Sequence, residues 1–192
     1  MNDGFIEAFK RFSFLKLSDL LDLYRLSSLK SFEKGEVIAR EGEYCEDAFL
    51  IRKGIIRTFV ITPEGNERTI RLAKEKDFTS CGASFLFGDP STEYLEALED
   101  CKVIAVNTKK LEQLSQQNQR VLRLSIEGIK EAFAEAIGRI EFFTVLNPEQ
   151  RYKKLISESP DLIQRVPQKF LASYLGITTV SLSRIRNRKN SE

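Results

Sequence analysis

Val166-Pro-Gln-Lys-Phe-Leu-Ala-Ser-Tyr-Leu-Gly-Ile-Thr-Thr-Val-Ser-Leu-Ser-Arg-Ile-Arg-Asn-Arg-Lys189 is the stretch from which the rest of the chain can be read. It predicts two short helices joined by a tight turn. Pro167 suits a first helical position, where its missing N–H costs nothing. Phe170, Leu171 and Leu175 form an apolar stripe on the first helix, and the small Ala172 leaves room for a second helix to approach. Gly176 stands where a helix end often needs a left-handed backbone. Thr178 or Thr179 can cap the second helix. In that helix Val180 (or Leu182) and Ile185 can face inward. Thr179, Ser181, Ser183, Arg184, Arg186, Arg188 and Lys189 are left outside. Hydroxyls and guanidinium forks on one helix suit base edges and phosphates in a DNA major groove. The layout is that of a helix-turn-helix; the plainer alternative is a helical hairpin with a solvated basic tail.

The 192 residues suffice for one large domain or two small ones. Hydrophobic residues at 42% and charged residues at 30% fit a globular protein in water. No apolar run approaches the ~20 residues that a membrane span needs, and the N-terminus lacks a signal pattern. Cys45, Cys81 and Cys101 have no metal-ligand spacing, and there is no histidine. These features argue against a disulfide framework, a histidine metal site and a histidine-assisted nucleophile. They predict reduced thiols, a cytoplasmic location and no enzymatic activity. From Pro148 onward nine Lys and Arg face four Asp and Glu, so this end carries +5 and residues 1–147 carry −3 within a net +2. A basic end on a mildly acidic body fits a phosphate-binding module on a separate scaffold.

Residues 2–31 are expected to be amphipathic helices, with Phe5, Phe9 and Phe12 at helical spacing and Ser18 capping a second helix. From Lys30 to about Val106 the pattern changes to strands. Glycine turns near Gly35, Gly42, Gly54 and Gly65 separate runs at 37–39, 48–51, 55–61, 68–72 and 103–106. Such spacing predicts an antiparallel sandwich, barrel or roll. The segment 77–92, a cassette rich in small residues, interrupts the strands. Its backbone N–H groups could face a ligand, or it forms a compact surface loop with a short helix.

A long helix is expected over 108–146. Leu122, Ile126, Ile129, Phe133, Ala136, Ile140 and Phe143 step by four and three along it. That is the seam by which two helices coil together, which favours a homodimer. Asn147 and Pro148 break the pattern, so we place a boundary there. Residues 1–146 form a sensor domain that includes the long helix, and 147–192 form the helix-turn-helix domain.

In this order the chain resembles the Crp/Fnr family of bacterial transcription regulators. The resemblance rests on Lys34-Gly-Glu-Val-Ile-Ala-Arg-Glu-Gly42, Ala48-Phe-Leu-Ile-Arg-Lys-Gly54 and Leu171-Ala-Ser-Tyr-Leu-Gly-Ile-Thr-Thr-Val-Ser-Leu-Ser-Arg-Ile185. It implies an α+β fold. An N-terminal antiparallel β-roll (a jelly-roll like that of cyclic-nucleotide-binding domains) carries flanking helices and a long dimerisation helix, and a small helix-turn-helix domain follows. It also implies a homodimer that senses a small molecule, sets two recognition helices in successive major grooves of a near-palindromic double-stranded DNA site, and works with RNA polymerase. The alternative is a sensor module whose C-terminal helices dock on a protein.

The family's cyclic-AMP binders hold the ribose with a Gly-Glu pair and the cyclic phosphate with an Arg-Ser pair. Aligned here, these positions are Ser80-Cys81 and Ser91-Thr92, so both charged residues are missing. Losing one charge-assisted hydrogen bond costs roughly 1.5–3 kcal/mol. We therefore expect weak or no cyclic-nucleotide binding by that mechanism and no defined cofactor. The pocket, if kept, involves Cys81, Gly82, Ala83, Ser84, Ser91 and Thr92. Cys81 is either a small residue filling it or a thiol sensor. By the same resemblance Thr179, Val180, Ser183 and Arg184 fall on base-reading positions. Thr178, Ser181, Arg186, Arg188 and Lys189 fall on phosphate contacts. Val180 stands where a glutamate is common, which favours apolar contact such as a thymine methyl. The wing is reduced to the segment 162–166.

Overall fold

The computed structural model describes Phe9 and residues 12–189. Phe5 of the expected first stripe lies outside the described residues. Helix α1 spans Leu17–Leu26. Its start is fixed by Asp19 in the first turn, whose carboxylate accepts from the Lys16 N–H at 2.8 Å. Lys16 is thus the cap, and Ser18, expected there, lies inside the helix. The expected helix to residue 31 ends early, because Ser27–Phe32 form strand β1. The whole of β1 pairs with a later strand, from Ser27↔Val106 to Phe32↔Cys101. That long-range ladder overrides the local apolar spacing.

The remaining strands are β2 (Val37–Ala39), β3 (Asp47–Lys53), β4 (Ile56–Ile61), β5 (Glu67–Ala73), β6 (Phe78–Thr79), β7 (Tyr94–Ala97) and β8 (Cys101–Asn107). They form two antiparallel four-stranded sheets in the orders β1-β8-β3-β6 and β2-β7-β4-β5. Phe49, Ile51, Ile56, Leu95 and Val103 fill the space between the sheets. Phe9, Phe12 and Leu23 cover Leu50, Ile104 and Val106 from the side of the N-terminal helices, together with Val121 and Leu124. Gly54 turns β3 into β4 with φ +98, and a Cβ there would lie 2.5 Å from Cys101 Sγ.

Helix α2 (Gly82–Phe87) interrupts the roll. The single helix expected over 108–146 is instead two, α3 (Thr108–Gln117) and α4 (Gln119–Thr144). The break is at Asn118, which takes an extended backbone and caps α4 by accepting from the Arg120 and Val121 N–H groups. Asp19 holds this corner from α1. It accepts from Asn118 Nδ2 at 2.8 Å and from Arg120 Nε at 2.6 Å. Its side chain is 1% exposed. The Arg120 guanidinium outweighs the cost of burial and holds the carboxyl well below the usual range.

Helix α5 spans Pro148–Glu158, with Asn147 and Gln150 exchanging cap hydrogen bonds at 3.0 Å each way. The segment read as a reduced wing is helix α6 (Pro160–Arg165). Leu162 and Val166 there are buried in a core rather than presented as a strand. Helices α7 (Gln168–Leu175) and α8 (Thr179–Lys189) complete the described chain.

A shared core crosses the expected division after Leu146. Ile55, Leu72 and Leu98 of the roll pack with Leu162, Phe170, Leu171, Leu175 and Leu182. Arg57 on β4 is 1% exposed and bonds Glu67 at 2.6 Å and Glu96 at 2.8 Å. Its guanidinium carbon lies 3.9 Å from the Phe59 ring centre and 3.8 Å from that of Phe170 on α7. Around the core runs a ring of ion pairs. Arg165 donates to both Glu75 oxygens at 2.8 and 2.9 Å and to both Glu99 oxygens at 2.7 and 3.0 Å. Lys74 reaches Asp161 at 2.6 Å.

Arg165, with help from the Gly54 N–H and against the cost of burial, pulls the Glu75 carboxyl from 4.5 down to about 2. A depressed carboxylate stabilises the fold above its unfolded pKa, and that contribution fades as pH falls through the folded value. Acid unfolding should therefore lose the Glu75 contribution between pH 4.5 and about 2. Arg165→Met should destabilise by about 2 kcal/mol at neutral pH and flatten that dependence. Thermal melts of both chains across this window check it.

Candidate nucleic-acid interface and sensor cassette

Gly176 ends α7 at φ +69 and lets the chain turn toward α8. A Cβ there would lie 2.7 Å from Phe143 and 3.0 Å from Arg151, so the residue is fixed by packing as well as by conformation. Two cations of the preceding helices grip this helix end. Arg151 Nη1 donates to the Leu175 carbonyl at 2.7 Å, and Arg139 donates to the Tyr174 carbonyl. Both fill carbonyls that a helix C-terminus leaves open. Pro167, expected as the first helical residue, sits one position earlier, at the cap.

Thr178, rather than Thr179, caps α8, its Oγ1 accepting from the Ser181 N–H at 3.1 Å. Leu182 is fully buried and Val180 is 58% exposed, which settles the inward position in favour of Leu182. Ile185 packs against the same core. Thr179, Ser183, Arg184 and Arg188 are exposed, and Ser181 and Arg186 are half-buried. The Thr178 and Ser181 hydroxyls also bond each other at 3.0 Å, so this pair partly satisfies itself. Lys189 lies on the helix, and its side chain is outside the described residues. The outer face of α8 thus carries hydroxyls, Val180 and arginines, with no acid between Thr179 and Lys189.

The expected seam residues all fall on α4. Leu122, Ile126, Ile129, Phe133, Ile140 and Phe143 are 42–66% exposed in the single chain, and Ala136 is exposed too. Ile137, which stepping by fours and threes passes over, adds to the same apolar surface. Phe143 also serves the fold, since the guanidinium of Arg139 lies 4.4 Å above its ring and that of Arg151 5.0 Å. Arg71 of β5 ties the roll to this helix through Glu135 at 2.7 Å.

In the cassette the expected pocket residues are turned to internal work. The Ser84 hydroxyl donates to the Asp89 carbonyl at 2.7 Å and accepts from the Cys45 N–H at 3.3 Å. The Ser91 hydroxyl donates to the Glu93 carbonyl at 2.7 Å and accepts from the Glu93 N–H at 3.0 Å. Cys81 is fully buried, Gly82 and Ala83 are half-buried, and Thr92 is exposed. Gly82, expected to offer its N–H to a ligand, faces the Glu93 carboxylate, whose Oε1 lies 3.2 Å from where a Cβ would stand. Glu93 is half-buried, and desolvation raises its carboxyl pKa against the pull of the Gly82 backbone and of Arg71. A cavity of about 370 Å³ lies between β5, α4 and α7, and another of about 300 Å³ lies beside α1 and β1; the six expected residues line neither. Sequence reading missed Glu93, because no spacing rule marks a carboxylate that returns to a backbone donor eleven residues earlier.

Residues 29–118 match the family described as the cyclic nucleotide-binding domain. The chain is 35% identical over 109 residues to the Anaerobic regulatory protein of Bacillus subtilis, a match covering 53% of this chain and 45% of that protein. It is 24% identical over 177 residues to the Fumarate and nitrate reduction regulatory protein of Vibrio cholerae, covering 83% and 67%. The chain therefore spans less than half the length of the first relative and about two thirds of the second. Among solved structures, FixK2 from Bradyrhizobium japonicum superposes with a TM-score of 0.72 at 16% identity, over 86% of this chain and 85% of that one. The catabolite activator protein of Thermus thermophilus gives 0.57 at 17% identity, over 94% and 86%. Residues 29–118 thus match the cyclic nucleotide-binding domain family, and in sequence and in fold the chain is similar to Crp/Fnr regulators.

Proposed function

We propose that this chain is a dimeric DNA-binding transcription regulator whose sensor domain has lost the cyclic-nucleotide contacts. The outer face of α8 carries this reading. It buries Leu182 and leaves Thr179, Val180, Ser183, Arg184 and Arg188 exposed. Charged forks and hydroxyls at one helix face recognise phosphates and base edges, and an exposed Val180 suits a thymine methyl. Pairing α4 with its copy would cover the apolar stripe from Leu122 to Phe143 and set two α8 helices on a near-palindromic site. The relatives are named as regulators rather than enzymes, which supports DNA and RNA polymerase as partners. Among the described residues no helix is long and apolar enough to cross a membrane, which accords with a cytoplasmic site of action.

The cassette supports the loss of cyclic-nucleotide binding. A cyclic phosphate would meet Ser91-Thr92 in place of an arginine, and the Glu93 carboxylate stands beside Gly82. Like charge in a half-buried site opposes binding. Cyclic AMP at millimolar concentration should leave the melting temperature unchanged; a concentration-dependent rise would show that the contact has been replaced by another.

Two further measurements test the rest. Phe133→Asp with Ile140→Asp should convert a dimer to a folded monomer in sedimentation, because a carboxylate in a helix seam is left unpaired. On a site selected from random DNA, Arg184→Ala should cost roughly 1–3 kcal/mol and relax one base position, with little change on random DNA. Affinity of the wild type should fall steeply with added salt. Binding that ignores salt, or that follows a protein partner, would favour the alternative in which α8 docks on protein.

A further inference from the structure

We propose that Cys45 and Cys81 are a dithiol pair that a peroxide oxidises to a disulfide, closing the β2–β3 loop onto the cassette. The two thiols are 36 positions apart in sequence, yet they share one buried cluster, and the Cys45 sulfur lies 4.0 Å from the hydroxyl of Ser80, the residue before Cys81. Cys45 sits in the loop between β2 and β3, flanked by the exposed Tyr44 and Glu46. It is 7% exposed, while Cys81 is fully buried. Two strand-like hydrogen bonds already hold this loop on the cassette, from Gly42 to the Ser91 carbonyl and from Ser91 to the Glu43 carbonyl, both at 2.8 Å. The Cys45 N–H adds a third, to Ser84 Oγ at 3.3 Å. The covalent bond would lock a contact that is already made.

The surroundings divide the two roles. The Cys81 thiol and the Cys81 backbone N–H both bond the Cys45 sulfur and, against burial, pull Cys45 below the ordinary thiol range. Cys81 is pushed up by its bond to Cys45 and by burial. Cys45 is therefore the attacking thiolate and Cys81 the resolving thiol. The Cys45 sulfur attacks one peroxide oxygen, the O–O bond breaks, and hydroxide leaves and takes a proton to become water. Cys45 is then a sulfenic acid, oxidised by two electrons, and the peroxide is reduced. The Cys81 sulfur next attacks Cys45, the S–O bond breaks, and the leaving hydroxide takes the Cys81 proton as a second water. A thiol reductant reverses the change. Cys101 takes no part. Its sulfur donates to the Glu99 carbonyl at 3.3 Å and the Ile55 carbonyl at 3.5 Å, and burial pushes it up to about 11.

Mass spectrometry of the full chain tests this without any reference to DNA. The protein is treated with hydrogen peroxide, alkylated, and digested with trypsin without reduction. Peptide 41–52, which holds Cys45, should appear linked to peptide 77–102, which holds Cys81 and Cys101. Fragment ions should assign the link to Cys81, leave Cys101 alkylatable only after unfolding, and disappear with dithiothreitol. Cys45→Ser and Cys81→Ser should each abolish the link, and Cys81→Ser should leave Cys45 trapped as sulfenic or sulfinic acid. The proposal is overturned if the wild-type protein, still folded by circular dichroism, keeps both Cys45 and Cys81 unlinked after peroxide. It is equally overturned if Cys101 is the partner found.

Discussion

A guanidinium buried between two aromatic rings joins the two ends of this protein. Arg57 comes from β4 and Phe170 from α7, and neither surface is complete without the other. Burying an arginine is costly, and Glu67 and Glu96 offset the cost on one edge while Phe59 and Phe170 cover the faces. Nε and Nη1 find no hydrogen-bond partner among the described residues, so ring contact stands in for hydration there. The arrangement holds only while α7 stays docked. The hydrophobic core of Ile55, Leu72 and Leu98 with the C-terminal helices, and the ion pairs of Arg165 at its rim, follow from that docking.

Helix α4 is the other shared part. It meets the roll through Arg71 and Glu135, and it meets α7 through Arg139 on the Tyr174 carbonyl. Phe143 lies at the end of the apolar stripe and under Gly176 at once. Any shift along α4 is thus felt at the turn that orients α8. The corner at Asn118 fixes the other end, where Asp19 holds both Asn118 and Arg120. The helix is anchored at both ends, and the face between them is exposed.

Much of this was legible in the residues. The β3, β4, β5 and β8 runs carry enough branched and aromatic side chains to read as strands, and Gly176 between Leu175 and Ile177 marks the turn from α7 to α8. The strands that escaped are those whose pairing is decided at long range. Ser27–Phe32 has helix-like apolar spacing and becomes a strand because β8 offers it a ladder. Phe78–Thr79 is too short to leave a pattern. The break at Asn118 escaped because seven evenly spaced apolar residues made the helix look continuous, while the cause is a carboxylate about a hundred residues away. The cassette was legible in what it lacks, the arginine and the glutamate. What surrounds it, Glu93 beside Gly82 and Cys45 in one cluster with Cys81, depends on contacts that only folding creates.

Glu93 sets the character of the cassette. It places a half-buried carboxylate against the Gly82 backbone, at the start of α2. Whatever approaches that turn meets an acid side chain before it meets the peptide backbone.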